Sequence, residues 1–216
     1  MPDLKNRRLN TTAQRGRLTD AEKRRLEDAL PQYQVNEAFF KNPPQNLEVE
    51  LGMGNGLALL ERAKAAPERH FLGCELYQAG IATCLYHIGQ NDEGFQNVSL
   101  DNGDARDLLA ALPKGSANRV LLPHPDPWPK ARHHKRRLLQ ADFLDAVNRV
   151  LEPGGEFWVI TDWPDYADHS LEILKIHDVF KAKVVPAPAW WVETKYQQKA
   201  QKAGRGNTFI KAVAKA

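Results

Sequence analysis

The sequence contains little cysteine and no long apolar run, and both absences narrow the class of protein. Two cysteines, Cys74 and Cys84, are too few for a disulfide framework and lack the spacing of metal ligands. No hydrophobic stretch approaches the roughly 20 residues that span a membrane, so we expect no transmembrane helix. The N-terminal stretch MPDLKNRRLNTTAQRGRLTD has no hydrophobic segment of the kind found in secretory signals. We therefore expect a cytoplasmic protein.

The chain also has little net charge, but the charge is unevenly distributed. The formal net charge is +3 over 216 residues. Lys and Arg outnumber Asp and Glu by eight to three in residues 1–25, five to none in residues 130–137 and six to one in residues 193–216. If the fold brings these segments to one face, they would attract a polyanion such as a nucleic acid. The alternative is three solvated surfaces that never meet.

Short apolar runs alternate with helical segments from Leu47 onward. The pattern predicts strands near 47–51, 70–75, 97–100, 119–123 and 156–161, and helices near 57–66, 77–90, 105–112, 137–150 and 166–178. The late run TFIKAVA predicts one more strand at an edge. This order predicts an α/β, Rossmann-like, doubly wound fold: a mostly parallel sheet with helices on both faces and an antiparallel edge strand near the C-terminus.

Residues 1–45 stand apart from this alternation. Thr19 and Glu22 have the spacing of a capping box, which predicts a helix reaching about Leu30, and KNPPQN then interrupts the chain. We expect residues 1–45 to form a basic, partly helical N-terminal extension and residues 46–216 to form the domain that carries the activity.

A glycine loop follows the first predicted strand in LEVELGMGNG. Gly52, Gly54 and Gly56 permit a tight turn and let a ligand approach the backbone closely. The third glycine comes one residue earlier than in dinucleotide-binding loops. Glu48, within the strand, would repel a pyrophosphate but could pair with a cationic amino group. The alternative is a tight strand-to-helix turn that binds no ligand.

Acidic residues follow the next two predicted strands. Glu75 lies where nucleotide-binding α/β folds hold ribose hydroxyls, and Asp104 could accept a hydrogen bond from an adenine amino group. Either could instead be a helix N-cap or a solvated residue. Together with the glycine loop, these acids resemble the Rossmann-like class of S-adenosylmethionine-dependent methyltransferases. That resemblance implies S-adenosylmethionine as cofactor, S-adenosylhomocysteine as product and no metal.

The stretch HPDPWPKARHHKRRLL, residues 124–139, follows the fourth predicted strand. Its prolines fix the backbone φ angle and stiffen the segment that presents Asp126 and Trp128 at the expected cleft. Trp128 could stack on a base, and the cations that follow could neutralise phosphates. The alternative is a proline-rich strand exit before a charged helix. The adjacent His133 and His134 make a poor zinc site.

With this stretch, the sequence resembles the bacterial tRNA (guanine-N7-)-methyltransferases. The resemblance runs from about Arg15 to Ile210 through RGRLT, LEVELGMGNG, FLGCE, GDA, PDPWPKARHHKRRL, LEPGGEFWVITDW and ETKY. It implies methyl transfer from S-adenosylmethionine to N7 of a guanosine in the variable loop of tRNA. It implies tRNA as the partner, with no membrane and no obligate protein partner, in a monomer or homodimer.

The resemblance also implies roles for individual residues. Asp126 would be catalytic, and cofactor contacts would come from the glycine loop and from four acids, Glu48, Glu75, Asp104 and Asp126. Substrate contacts would come from Lys130, Asp162, Thr194, Lys195, Tyr196 and Gln197. We expect phosphate contacts from Arg132, Lys135, Arg136 and Arg137.

Three residues depart from the family pattern. Glu50 stands where the family usually has glycine, His124 where phenylalanine is common, and Gln197 where a glutamate usually follows. Glu50 could therefore alter cofactor affinity. Three other functions stay open from the residues: a nicotinamide oxidoreductase, a non-catalytic RNA-binding scaffold, and a methyltransferase acting on another nucleic acid or on protein.

Overall fold

A seven-stranded sheet organises the computed structural model, which describes residues 17–193, 197 and 202–215. The strands are β1 Leu47–Leu51, β2 His70–Cys74, β3 Val98–Asp101, β4 Ala117–Pro123, β5 Leu151–Thr161, β6 Phe180–Val185 and β7 Thr208–Ala214. The helices are α1 Asp20–Asp28, α2 Leu30–Tyr33, α3 Glu37–Lys41, α4 Leu57–Ala65, α5 Gln78–Ile88, α6 Ala105–Ala111, α7 Ala141–Val150 and α8 Pro164–His177, with a 3-10 helix at Ala131–Arg136.

The strand order is β3-β2-β1-β4-β5-β7-β6. Strands β3 to β5 are parallel, and β7 runs antiparallel between β5 and β6. The chain changes winding direction between β1 and β4, so the crevice at their carboxyl ends is the usual ligand site of such a sheet. The predicted doubly wound class and the antiparallel direction of the C-terminal strand are confirmed. The TFIKAVA strand was expected at an edge, but β7 pairs on both sides, because β6 adds to the sheet outside it.

Apolar side chains cover both faces of the sheet. Leu47, Val49 and Leu51 of β1 pack in one core with residues of α6, α7 and α8. Residues of α4 and α5 form a second core on the opposite face with Phe71 of β2. The parallel strands are therefore buried on both sides, as the near-continuous apolar runs predict.

The main differences from the sequence prediction after β4 concern one strand and one helix. Strand β6 was not predicted, because Lys181 and Lys183 interrupt its apolar pattern, and it occupies the edge outside β7. The helix predicted over 137–150 begins only at Ala141, after the separate 3-10 helix. Arg137 between the two has extended backbone and a buried side chain, which is incompatible with one continuous surface helix.

The N-terminal helix α1 begins with the predicted capping box. Glu22 N donates to Thr19 Oγ1 at 3.3 Å, and Thr19 N donates to Glu22 Oε2 at 2.7 Å. Leu26 and Tyr33 then pack against the core beneath α5. Residues 1–16 lie outside the described residues. Across the part of the chain that is described, every helix is too short or too polar to cross a membrane.

Candidate active site

A cavity of about 240 Å³ opens at the carboxyl ends of the central strands. Its walls come from the glycine loop after β1, residues 74–77 at the end of β2, residues 103–106 after β3, and residues 122–126 and Trp128 at and after the end of β4. The space suits one small ligand bounded by four successive strand ends. The four predicted regions therefore meet at one place.

Glu75 is fixed in the cavity wall by backbone donors. Gly54 N and Tyr77 N each donate to one of its carboxylate oxygens at 2.9 Å. Gly80 permits this arrangement, because a Cβ there would lie 2.6 Å from the carbonyl oxygen of Gly54. Burial raises the pKa of Glu75, and the hydrogen bonds from Tyr77 and Gly54 partly offset that rise. Its orientation is thus set before any ligand binds.

The third glycine of the loop serves packing rather than ligand contact. Gly56 has a φ of 74° and precedes the first residue of α4. A Cβ at this position would lie 2.3 Å from Sγ of Cys84 on α5. The early third glycine, which argued against a dinucleotide loop, lets α4 approach α5. Of the three loop glycines, Gly52 and Gly54 line the cavity.

Asp104 lies in the cavity wall and also caps α6. Its carboxylate accepts a hydrogen bond from Arg106 N at 2.8 Å. The N-cap interpretation and the ligand-facing interpretation of this residue are therefore compatible. Arg106, which no sequence motif identified, lines the cavity beside it. The sequence feature that could have identified Arg106 is its position in the first turn of α6, two residues after Asp104.

Glu48 does not line the cavity. It is 1% exposed, and its two oxygens accept hydrogen bonds from Arg62 and Arg119, both at 2.9 Å. Arg62 also pairs with Glu50, the residue that departs from the family pattern. Burial opposes the charge of Arg62, but Glu50 and Glu48 raise its pKa above the ordinary value. Strand β1 thus directs both acids toward α4, and the ion pairs neutralise them.

The turn after β4 places Asp126 in the cavity wall. His124 and Trp128 flank it with φ angles of 47° and 43°, in the left-handed region that favours glycine. His124 N donates to Ile160 O at 2.7 Å, which ties the start of the turn to β5. We call residues 124–129 the proline turn. It brings a carboxylate to the same cavity as Glu75 and Asp104.

Trp128 is buried rather than open to a base, so the expected stacking face is a wrong prediction. The guanidinium carbon of Arg136 lies 4.9 Å from the centre of its ring, and the His133 ring meets it edge-on at 5.7 Å. The indole is 8% exposed. The reason is that the 3-10 helix folds back over the proline turn and covers the ring.

The basic stretch divides into exposed cations and one buried arginine. Lys130, Arg132, Lys135 and Arg136 are exposed on or beside the 3-10 helix, and Arg136 also lines the cavity. Arg137 is 1% exposed and pairs with Asp165, so the expectation that it contacts phosphate is wrong. Four cations therefore remain available beside the cavity.

The residues predicted to bind substrate outside this stretch have mixed positions. Asp162 accepts a hydrogen bond from Arg205 Nε at 2.8 Å and lies 3.5 Å from Nδ1 of His124. Gln197 is buried, accepts from Trp191 Nε1 at 2.8 Å and donates to Glu193 at 3.1 Å. Thr194, Lys195 and Tyr196 lie outside the described residues. Within the described ranges, no group of three His, Cys, Asp or Glu could hold a metal.

Comparison with known proteins identifies similar sequences over most of the chain. A family described as "Putative methyltransferase" matches residues 44–210. A tRNA (guanine-N(7)-)-methyltransferase from Nitrosococcus oceani is 39% identical, over 88% of this chain and 84% of that protein. One of the same name from Hydrogenovibrio crunogenus is 33% identical, over 95% and 90%.

Solved structures share the fold at low sequence identity. A 16S rRNA (adenine(1408)-N(1))-methyltransferase from Catenulisporales acidiphilia is 18% identical with a TM-score of 0.60, covering 85% of this chain and 95% of that one. A precorrin-6y C5,15-methyltransferase from Geobacter metallireducens is 15% identical with a TM-score of 0.55, covering 83% and 85%. These enzymes have different substrates, so the fold by itself does not select one.

Proposed function

The chain belongs to the tRNA (guanine-N(7)-)-methyltransferase family, and we propose that it methylates N7 of a guanosine in the variable loop of tRNA. The observation that carries this proposal is the position of Asp126. It shares a cavity with Glu75 and Asp104, and four exposed cations adjoin the same turn. A small-ligand site and an anion-binding surface therefore meet at one carboxylate.

The residues of the cavity fit S-adenosylmethionine as the methyl donor. Glu75 and Asp104 present carboxylate oxygens to a ligand that carries hydroxyl, amino and sulfonium groups, and Gly52 and Gly54 leave backbone exposed for close approach. S-adenosylmethionine contains no phosphate group, whereas a ligand with phosphate groups would be repelled by these acids. When bound, it supplies an activated methyl group and an uncharged leaving group. Glu48 would act only indirectly, through the packing of β1.

The chemistry requires little proton transfer from the protein. Guanine N7 has an exposed lone pair and no proton, so no general base is needed for attack. The main task of the chain is to align N7 with the methyl group. Methylation places positive charge on the guanine ring, and a fixed carboxylate nearby stabilises that charge. We assign this role to Asp126, which would also accept hydrogen bonds from the N–H edge of the base.

The exposed cations of the 3-10 helix and Lys130 provide the contact with RNA. Folded tRNA buries the N7 edge, so the base has to be displaced at a cost of a few kcal/mol. Phosphate contacts from Arg132, Lys135 and Arg136 would offset that cost. Asp162 and residues 194–197 remain proposed substrate contacts, and the extension of residues 1–45 would add to the basic surface. We place the enzyme in the cytoplasm, as a monomer or homodimer.

A methylation assay tests the central proposal. Wild type and Asp126→Asn are incubated with labelled S-adenosylmethionine and unmodified tRNA, and mass spectrometry locates the modified nucleoside. We expect 7-methylguanosine in the variable loop from wild type, and a loss of about 10²–10³ in kcat from the variant, since a charge-stabilising group is removed. Asp168→Asn, on the exposed side of α8, is the matched control and should keep wild-type activity.

Two results would contradict the proposal. If wild type binds tRNA and forms no 7-methylguanosine, the chain is a scaffold or acts on another substrate. If NAD raises the melting temperature while S-adenosylhomocysteine does not, the cavity belongs to an oxidoreductase. A variant Asp126→Asn with undiminished kcat would remove only the role assigned to Asp126.

A further inference from the structure

We propose that Arg137 is a positioning residue that holds the proline turn, and with it Asp126, in the geometry needed for methyl transfer. This inference rests on the proposed function, because it assigns a support to the catalytic carboxylate of that function. Arg137 itself does not line the cavity. Its effect would pass through the backbone of the turn.

The proline turn needs support because its backbone is strained at both ends. His124 and Trp128 have φ angles of 47° and 43°, which L-residues with a Cβ rarely adopt. Such conformations persist only where the surrounding structure enforces them, and they concentrate at functional sites. Asp126 lies midway between the two. A change in either strained residue would therefore move the carboxylate.

Arg137 joins the middle of the turn to a different element. Its Nε donates to the carbonyl oxygen of Pro127 at 3.0 Å, one peptide unit after Asp126. Its Nη2 donates to the carboxylate of Asp165 in the first turn of α8. Its guanidinium carbon lies 5.4 Å from the centre of the Tyr166 ring. The side chain thus connects the turn with α8 through the interior of the protein.

The geometry suits arginine and not lysine. A guanidinium donates in two directions at once from a rigid plane, whereas an ammonium is a single point of charge on a flexible stem. Lysine at position 137 could reach either Pro127 O or Asp165, but it would not hold both at fixed separation. Arg136, its neighbour, is exposed over Trp128. Only the buried member of this arginine pair therefore has the positioning geometry.

The first experiment compares Arg137→Lys with wild type in the methylation assay. We expect kcat to fall by about 10-fold to 100-fold, because misplacement by about 1 Å is enough for such a loss. The KM for tRNA should stay within about twofold, since the exposed cations are untouched. A purely structural role would lower the melting temperature and the active fraction, but not the kcat of the folded molecules.

Arg149→Lys is the matched control. Arg149, on α7, also donates to backbone carbonyls from a partly buried position, to Leu109 O and Ala110 O, away from the proline turn. The Arg149→Lys variant should have a lower melting temperature and an unchanged kcat. If Arg137→Lys keeps wild-type kcat per folded molecule, or if both lysine variants lose kcat equally, the positioning role is overturned.

A second variant keeps the test decisive if Arg137→Lys fails to fold. The Asp165 side chain is 63% exposed, and the amide oxygen of Asp165→Asn can still accept a hydrogen bond from the buried Arg137, so we expect this variant to fold. It weakens one arm of the Arg137 contact, and we expect kcat to fall several-fold with KM unchanged. An unchanged kcat in Asp165→Asn would overturn the proposal in that case. Absence of 7-methylguanosine with wild type would instead refute the proposed function.

Discussion

At the scale of single residues, strand β1 contains two acids that are buried in ion pairs. Glu48 and Glu50 are both under 3% exposed, and Arg62 of α4 binds each of them. Arg119 adds a second cation on Glu48 and stacks on Trp190 with 4.1 Å from guanidinium carbon to ring centre. The extra negative charge of Glu50 is thus compensated inside the fold rather than directed into the cavity.

We predict that Arg62→Met strongly destabilises the protein. It would leave two buried carboxylates with one remaining cation, and loss of one partner from a buried ion pair costs about 3–5 kcal/mol. Urea unfolding of the variant measures this loss. Glu50→Gln is the companion variant: it should cost less and leave the affinity for S-adenosylhomocysteine unchanged. A weaker affinity would show that Glu50 acts on the cavity, and wild-type stability of Arg62→Met would contradict the ion-pair account.

At the scale of elements, the 3-10 helix has two separate structural roles. Its outer side chains form a cationic surface beside the cavity, while its own fold covers Trp128 and leads the chain to Arg137. An RNA contact made by the outer cations is electrostatic and independent of sequence. Removing those cations should therefore change how salt affects binding, and not the position of the modified nucleoside.

We predict that the double variant Arg132→Ala, Lys135→Ala binds tRNA more weakly at every salt concentration. Each lost phosphate contact should lower the slope of log affinity against log salt concentration by about 1, so the slope should fall by about 2. Filter binding over a salt series measures this slope. Lys181→Ala with Lys183→Ala, on the edge strand β6, is a charge-matched control. Equal slopes in the two double variants would show that the helix does not contact RNA.

At the scale of the whole molecule, partly buried histidines couple stability to pH. Burial lowers the pKa of His70 and of His124, where Asp162 opposes the shift. Burial also lowers the pKa of His169, against a hydrogen bond to the Leu139 carbonyl. The unfolded chain takes up these protons near pH 6.5, but the folded chain does so only at lower pH. The contribution of these histidines therefore favours the unfolded state when the pH falls through that range.

We predict that the melting temperature falls as the pH is lowered from 7.5 to 6. A fall of a few degrees would correspond to about 1 kcal/mol for a domain of this size. Scanning calorimetry in buffers of matched ionic strength measures the dependence. His70→Gln removes one of the three groups and should reduce the slope. A melting temperature that stays constant or rises over this range would contradict the account.

The sequence by itself determined the features that lie within one element or one loop. The capping box of α1, the glycine loop and the acids at the strand ends all follow from local spacing, and parallel strands bring their carboxyl ends to one edge. The doubly wound fold and the family membership could therefore be predicted from the sequence. Strand β6 could not be predicted, because its lysines interrupt the apolar alternation typical of a strand. Its strand conformation depends on pairing with β7.

The tertiary structure alone decided which neighbours each polar side chain meets. Arg136 and Arg137 are adjacent in sequence, yet one is exposed and the other buried against Asp165, 28 residues away. Glu48 has the spacing of a ligand contact, but Arg62 and Arg119 take both of its oxygens. The free energy of a charged group depends on its burial and partners. Those partners come from distant parts of the chain, so local spacing does not encode them.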